Sequence, residues 1–146
     1  MNNLSKFAEN LSALMEERGL NAPTLAKELK TDRSNITRYL RGERFPVFSG
    51  FIAIIDYFHV SADVILGLLD YSAQTDFLPI LPFGQRLREV MNETGTTQYR
   101  IEKNEQISGA SMYKWLFDQS LPSVENLVKL AKHMDVSVDY LLGRVR

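Results

Sequence analysis

Five side chains between Arg33 and Arg41 could make hydrogen bonds outward from a single helical face. Arg33, Ser34, Thr37, Arg38 and Arg41 fall together at helical spacing, and Ile36, Tyr39 and Leu40 fall on the opposite side. An arginine fork matches guanine O6/N7, and hydroxyls can serve either as donors or as acceptors at base edges. Over 27–44 the charges are Lys27, Lys30, Arg33, Arg38, Arg41 and Arg44 against Glu28, Asp32 and Glu43, a net of +3 in a chain whose formal charge is −1. Lys27, Arg41 and Arg44 suit phosphates, contacts that position a protein without reading sequence. A polyanion site here is therefore a local patch, not a property of the whole surface. Bond-making chemistry has no comparable set. The chain has no cysteine, and no Gly-rich loop, carboxylate pair or nucleophile–base arrangement can be argued, so an enzyme is not expected. His59 and His133 have no ligand-spaced carboxylate or cysteine and read as surface or cap residues, so neither a metal nor a cofactor is expected.

The elements that must position this face are helical throughout, since apolar residues recur at helix spacing and nowhere alternate for long. Phe7, Leu11, Leu14 and Met15 define a first helix that ends at Gly19, a left-handed C-terminal position. A short second helix starts near Pro23 with Leu25, Ala26 and Leu29 inward. Asp32 is placed to cap the third helix, which stops at Gly42. A fourth helix covers about 48–58, and Ser61 caps a fifth. The fourth, FSGFIAIIDYF, has Asp56 as its only ionised residue, so it reads either as a well-buried helix or as an interface. Two short helices around a tight turn at Lys30–Asp32 form the helix-turn-helix pattern, whose second helix enters the major groove of DNA.

The whole arrangement then recurs. With a shift of 76 positions, residues 7–67 and 83–143 align without a gap and are identical at thirteen positions, among them Gly19/Gly95, Pro46/Pro122, Asp63/Asp139 and Gly67/Gly143. Helices are expected at 83–93 and at about 98–105, 109–117, 124–133 and 138–142, with Ser108, Ser123 and Ser137 as caps. The reading divides the chain into 1–70, a connector 71–82 whose FLPIL segment packs on something, and 83–146. The N-terminus lacks the basic start and apolar core of a secretory signal, and no apolar run reaches membrane length. With the missing cysteines this suits the cytoplasm.

At these residues the chain resembles the Cro/repressor-type, or xenobiotic-response-element, helix-turn-helix family. The first repeat supplies Gly19-Leu20-Asn21, Leu25-Ala26, Asp32-Arg33-Ser34, Ile36, Gly42, Pro46, Val60-Ser61-Ala62-Asp63 and Leu66-Gly67. The second supplies Gly95, Thr97-Gln98, Ile107-Ser108, Met112, Pro122 and Val136 through Gly143. The resemblance implies an all-α protein of two tandem five-helix lambda-repressor-like domains. It also implies a sequence-specific double-stranded DNA-binding transcriptional regulator, a repressor acting by operator occupancy as a homodimer. Asn21, Lys27, Arg33, Ser34, Thr37, Arg38, Arg41 and Arg44 are then the expected DNA contacts. No small-molecule ligand is indicated.

The repeats differ where function would lie. Gly109, Ala110, Tyr113, Lys114 and Phe117 stand where the first repeat has Arg33, Ser34, Thr37, Arg38 and Arg41, and the net charge over 103–120 is zero. Gln98 takes the position of the family's phosphate-contacting glutamine, which is Ala22 in the first repeat. Gln98, Ser111, Tyr113, Lys114 and Phe117 are therefore candidates for either a DNA contact or a protein interface. Met112 and Trp115 read as core. The alternative from another class is a protein-interaction module, antitoxin-like or anti-repressor, on the same scaffold.

Overall fold

The computed structural model describes residues 2–74 and 76–146. Among them there are ten α-helices and no strand: α1 Asn3–Glu17, α2 Ala22–Leu29, α3 Arg33–Leu40, α4 Phe48–Phe58, α5 Ala62–Ile65, α6 Phe83–Thr94, α7 Gln98–Glu105, α8 Gly109–Leu116, α9 Val124–His133 and α10 Val138–Leu142. The chain divides into two compact units, Met1–Asp76 and Phe77–Arg146. Among the described residues no helix is long and apolar enough to cross a membrane.

In the first unit α1 packs on α3 and α5, and α2 packs on α3 and α4. Phe7 is fully buried at the centre, its ring 5.7 Å from that of Phe45, 6.1 Å from Phe51 and 6.5 Å from Tyr39. Leu11, Leu25, Ile36, Ile55 and Ile65 complete the core with no exposure. The fourth helix is largely buried through Phe48, Phe51, Ile52, Ile54, Ile55 and Phe58, as its lack of charge requires. In the second unit α6 packs on α8 and α10, and α7 on α8 and α9, around Leu87, Ile101, Met112, Leu127 and Leu141. Trp115 is buried there beside them.

The repeat extends to the backbone. Positive φ occurs at Gly19, Lys30, Gly42, His59 and Gly67, and again at Gly95, Gln106, Asp118, Asp135 and Gly143, each pair 76 positions apart. These are helix C-termini. At α1 the Gly19 amide bonds to the Glu16 carbonyl and the Leu20 amide to that of Met15, the double closure of a Schellman turn. Lys30 and His59 adopt the left-handed conformation despite their Cβ atoms. The first helix is also tied to the last in the same way in both units. Asn10 donates its amide to the Val64 carbonyl at 3.1 Å, and Arg86 donates Nε and Nη2 to the corresponding Tyr140 carbonyl at 3.1 and 2.7 Å.

Segment 77–81 belongs to the second unit, the Leu78 amide donating to the Arg144 carbonyl at 2.9 Å. Arg144 is itself 1% exposed, held by the Asp139 carboxylate at 2.6 Å with its guanidinium 4.1 Å from the centre of the Phe77 ring. Two expectations need correction. Asp32 has the extended backbone of an N-cap but no side-chain capping bond, because the Asn35 amide that its carboxylate would have capped bonds to the Asp32 backbone carbonyl at 3.1 Å. His133 does have a carboxylate partner, Glu105 on α7, its Nδ1 lying 3.0 Å from Oε2. On α6, Gln85 and then Arg86 donate to Glu89 and hold its carboxyl below the usual range.

Close packing of α6 on α8 makes Gly84 a sensitive position. Its amide donates to the Asp118 carboxylate at 2.9 Å, and a Cβ there would lie 2.7 Å from both that carboxylate and the Trp115 carbonyl. The Trp115 carbonyl is itself held, accepting from the Asp118 amide at 3.2 Å. Gly84→Ala is expected to cost about 1–3 kcal/mol, read as a lower urea midpoint by the fluorescence of Trp115, the chain's single tryptophan.

Candidate nucleic-acid interface

The two helices that carry the basic face are short, so their ends fix them. Asn21 caps α2 in a closed box: its Oδ1 accepts from the Thr24 amide at 2.9 Å, and Thr24 Oγ1 accepts from the Asn21 amide at 2.9 Å. Asn21 therefore spends its carboxamide oxygen on the helix, leaving the amide nitrogen as its outward donor. Lys30 in the left-handed region turns the chain, and the Thr31 amide bonds back to the Ala26 carbonyl at 2.9 Å. Leu25 and Ala26 face the core. Lys27 is exposed in the last turn of α2.

Helix α3 is anchored by Ile36 with no exposure and Tyr39 at 7%. Burial pushes the Tyr39 hydroxyl above its ordinary pKa, and the Arg44 charge partly offsets this. The other face is open. Arg33, Ser34, Arg38 and Arg41 are exposed, and among the described residues neither Arg33 nor Arg38 has an ion-pair partner. Arg41 lies 3.9 Å from Glu43 with both side chains well exposed, an association that competes little with a ligand. Thr37 is half-buried and donates its hydroxyl back to the Arg33 carbonyl at 3.1 Å, which commits its only proton to the helix. Past the helix, Arg44 donates Nη2 to Asn35 Oδ1 at 2.5 Å, and Asn35 also donates its amide to Thr31 Oγ1 at 3.0 Å. Asn35 thereby holds Arg44 against the start of α3. Sequence inspection passed over Asn35, since a nine-residue separation carries no helical signature.

The expected groups thus gather on one unit: Lys27, Arg33, Ser34, Arg38, Arg41 and Arg44 all lie on α2, α3 or the turn that follows. What they can do is bind an extended anion through several forks and a hydroxyl. Nothing among them is arranged as a nucleophile and its base.

The second unit presents something different on the same elements. Gln98 begins α7 half-buried, and Ser111 accepts a bond from the Ser108 hydroxyl at 3.0 Å while its amide caps onto Ser108 Oγ at 3.1 Å. Lys114 is exposed. Tyr113 and Phe117 are 52% and 59% exposed and touch each other, their ring centres 4.7 Å apart. Gly109 has no side chain, and Glu102 takes that room, its Oε1 only 2.7 Å from where a Cβ would stand. A carboxylate therefore lies over the first turn of α8, at the end of the helix where anions otherwise bind.

No family model, no curated protein and no solved structure matches this chain.

Proposed function

We propose that the chain is a sequence-specific double-stranded DNA-binding regulator of transcription that represses by occupying its operator. Each unit then serves as a five-helix lambda-repressor-like helix-turn-helix domain, with α3 of the first unit as the helix that enters the major groove. The observation that carries this reading is the two-sidedness of α3. Ile36 and Tyr39 are buried, while Arg33, Ser34, Arg38 and Arg41 stand outward beside Lys27 and Arg44. A merely solvated helix needs no such cluster of exposed arginines in a chain with a net charge of −1. Arg33 and Arg38 read base edges; Lys27, Arg41 and Arg44 meet phosphates. Selection from random duplex DNA tests the assignment, and failure to enrich any sequence above background would overturn it.

Arg44 supplies a separate check because Asn35 fixes it beside the reading helix. Arg44→Ala is expected to weaken all duplexes alike and to reduce the slope of log affinity against log salt by about 1. Titration of a selected and a scrambled duplex at several salt concentrations measures both effects.

One observation favours a second reading. Tyr113 and Phe117 leave two large rings in water, which suits an interaction module that uses the same scaffold to bind protein. Such a module would show no salt-steep binding to duplex DNA or heparin, because a protein interface releases no condensed counterions.

A further inference from the structure

We infer that Thr31, Asn35 and Arg44 form a ready-made seat for a DNA backbone phosphate at the start of α3, with Thr31 and Arg44 as its donors and Asn35 as the residue that positions them. The inference rests on the reading of the first unit as a DNA reader, and it adds Thr31, a neutral residue outside the basic set, to the contacts. The Asn35 carboxamide is engaged at both ends. Its Nδ2 donates to Thr31 Oγ1 at 3.0 Å, and its Oδ1 accepts from Arg44 Nη2 at 2.5 Å. These two bonds fix which way the carboxamide faces, and they tie the turn before α3 to the segment after it. Neither outer partner is used up. Thr31 is exposed, and its hydroxyl accepts from Asn35 while its own proton goes to no acceptor among the described residues. Arg44 is exposed as well, with most of its guanidinium N–H groups left to donate.

The fold does not require this bridge. The second unit builds the same turn and helix with Ile107, Ser111 and Ser120 at the equivalent positions, and Ser111 bonds to Ser108 instead. Nor does the bridge suit base reading. An asparagine with both ends of its carboxamide free can grip adenine, whereas Asn35 has committed both. What the bridge supplies is order before binding. A long side chain that meets a phosphate loses rotamer freedom, which offsets part of the contact. An arginine already held in place has lost that freedom in the free protein, so more of the contact appears as affinity. Threonine hydroxyls and arginine forks are both ordinary donors to phosphate oxygens. Lys30 and Arg33 beside Thr31 outnumber the Asp32 carboxylate, and Asn35 lies in the first turn of α3, at the end of a helix where an anion is favoured.

Binding of the full chain to a selected and a scrambled duplex, each at several salt concentrations, tests this. Thr31→Val is expected to weaken both duplexes roughly tenfold, the worth of one hydrogen bond to a charged acceptor, and Thr31→Ser, which keeps the hydroxyl, to bind normally. Asn35→Ala is expected to weaken both by a similar factor with the salt slope unchanged, because no charge is removed. Alanine is the better helix former, so the urea midpoint followed by circular dichroism should not fall. In the Asn35→Ala background, Arg44→Ala is expected to cost clearly less than in the unaltered chain, since the two residues then act as one unit. Additive losses would show that Asn35 does not position Arg44 and would overturn the inference. So would an Asn35→Ala protein that binds like the unaltered one, a loss confined to the selected duplex, or a Thr31→Val protein that binds normally. Each of these leaves the DNA reading itself intact. An unaltered chain that enriches no duplex removes that reading and this inference with it.

Discussion

Arg33→Ala/Arg38→Ala is expected to abolish discrimination between a selected duplex and a scrambled one while leaving the protein folded. Each arginine that grips a base edge is worth about 1–3 kcal/mol of affinity at the specific site. The pair together is then worth roughly two orders of magnitude or more. The fold should survive because both side chains are exposed and have no ion-pair partner among the described residues, and because alanine is at least as good a helix former as arginine. Fluorescence anisotropy with labelled duplexes at fixed salt gives the affinities, and circular dichroism confirms the helices. Specific affinity that persists in a folded double variant would remove α3 from the role of reader. The same experiment separates the two assignments for arginines: Arg44→Ala lowers both duplexes in parallel, and the double variant collapses the difference between them.

The largest effect on stability is expected at Arg144, far from this face in sequence. Its guanidinium is 1% exposed, bonded to Asp139 at 2.6 Å and stacked on Phe77, and its carbonyl receives the Leu78 amide. Arg144→Ala removes the guanidinium that faces a buried carboxylate, which typically costs about 3–5 kcal/mol. A unit of this size has only several kcal/mol of stability in all. Urea denaturation followed by Trp115 fluorescence should therefore show the second unit largely unfolded or strongly destabilised at low urea, since Trp115 is buried within it. A midpoint that stays within a few tenths of a molar of the unaltered protein would show that the pair contributes nothing net.

Much of the fold was legible because the helices are short and their ends are marked. Gly19, Gly42 and the capping serines announce terminations and starts by conformational freedom and hydroxyl chemistry, and apolar spacing phases each helix. The left-handed residues Lys30, His59, Gln106, Asp118 and Asp135 are another matter, since none of these side chains requires positive φ. Four of them sit in Schellman closures, in which the next amide bonds back to the helix, as Thr31 does to Ala26, Val60 to Ile55, Gln119 to Lys114 and Val136 to Ala131. The buried cations were equally hidden. Arg86 and Arg144 belong to a residue type that is almost always exposed unless paired, and their partners, the Tyr140 carbonyl and Asp139, are chosen by tertiary contact. In the candidate site the phase of α3 was readable because one helix contains it. The dependence of Arg44 on Asn35, and the commitment of Asn21 and Thr37 to their own backbone, arise from geometry between elements or within a turn.

The glycine at 84 matches the residue it packs on, and the equivalent pair in the first unit differs at both positions. The first unit has Ala8 at the equivalent position and Gly42 opposite, where a Cβ would lie in ordinary contact with the Ala8 methyl at 3.9 Å; the second has Gly84 and Asp118. A methyl on the first helix goes with no side chain on the turn, and a carboxylate on the turn goes with no methyl on the helix. Glu102 with Gly109, against Ala26 with Arg33, follows the same exchange. The two halves of the gene are thus not freely interchangeable despite their even spacing. A crossover between the codons of the first pair joins the methyl of Ala8 to the carboxylate of Asp118 in one product and leaves two glycines facing each other in the reciprocal one, so the cost of recombination between the repeats depends on its direction.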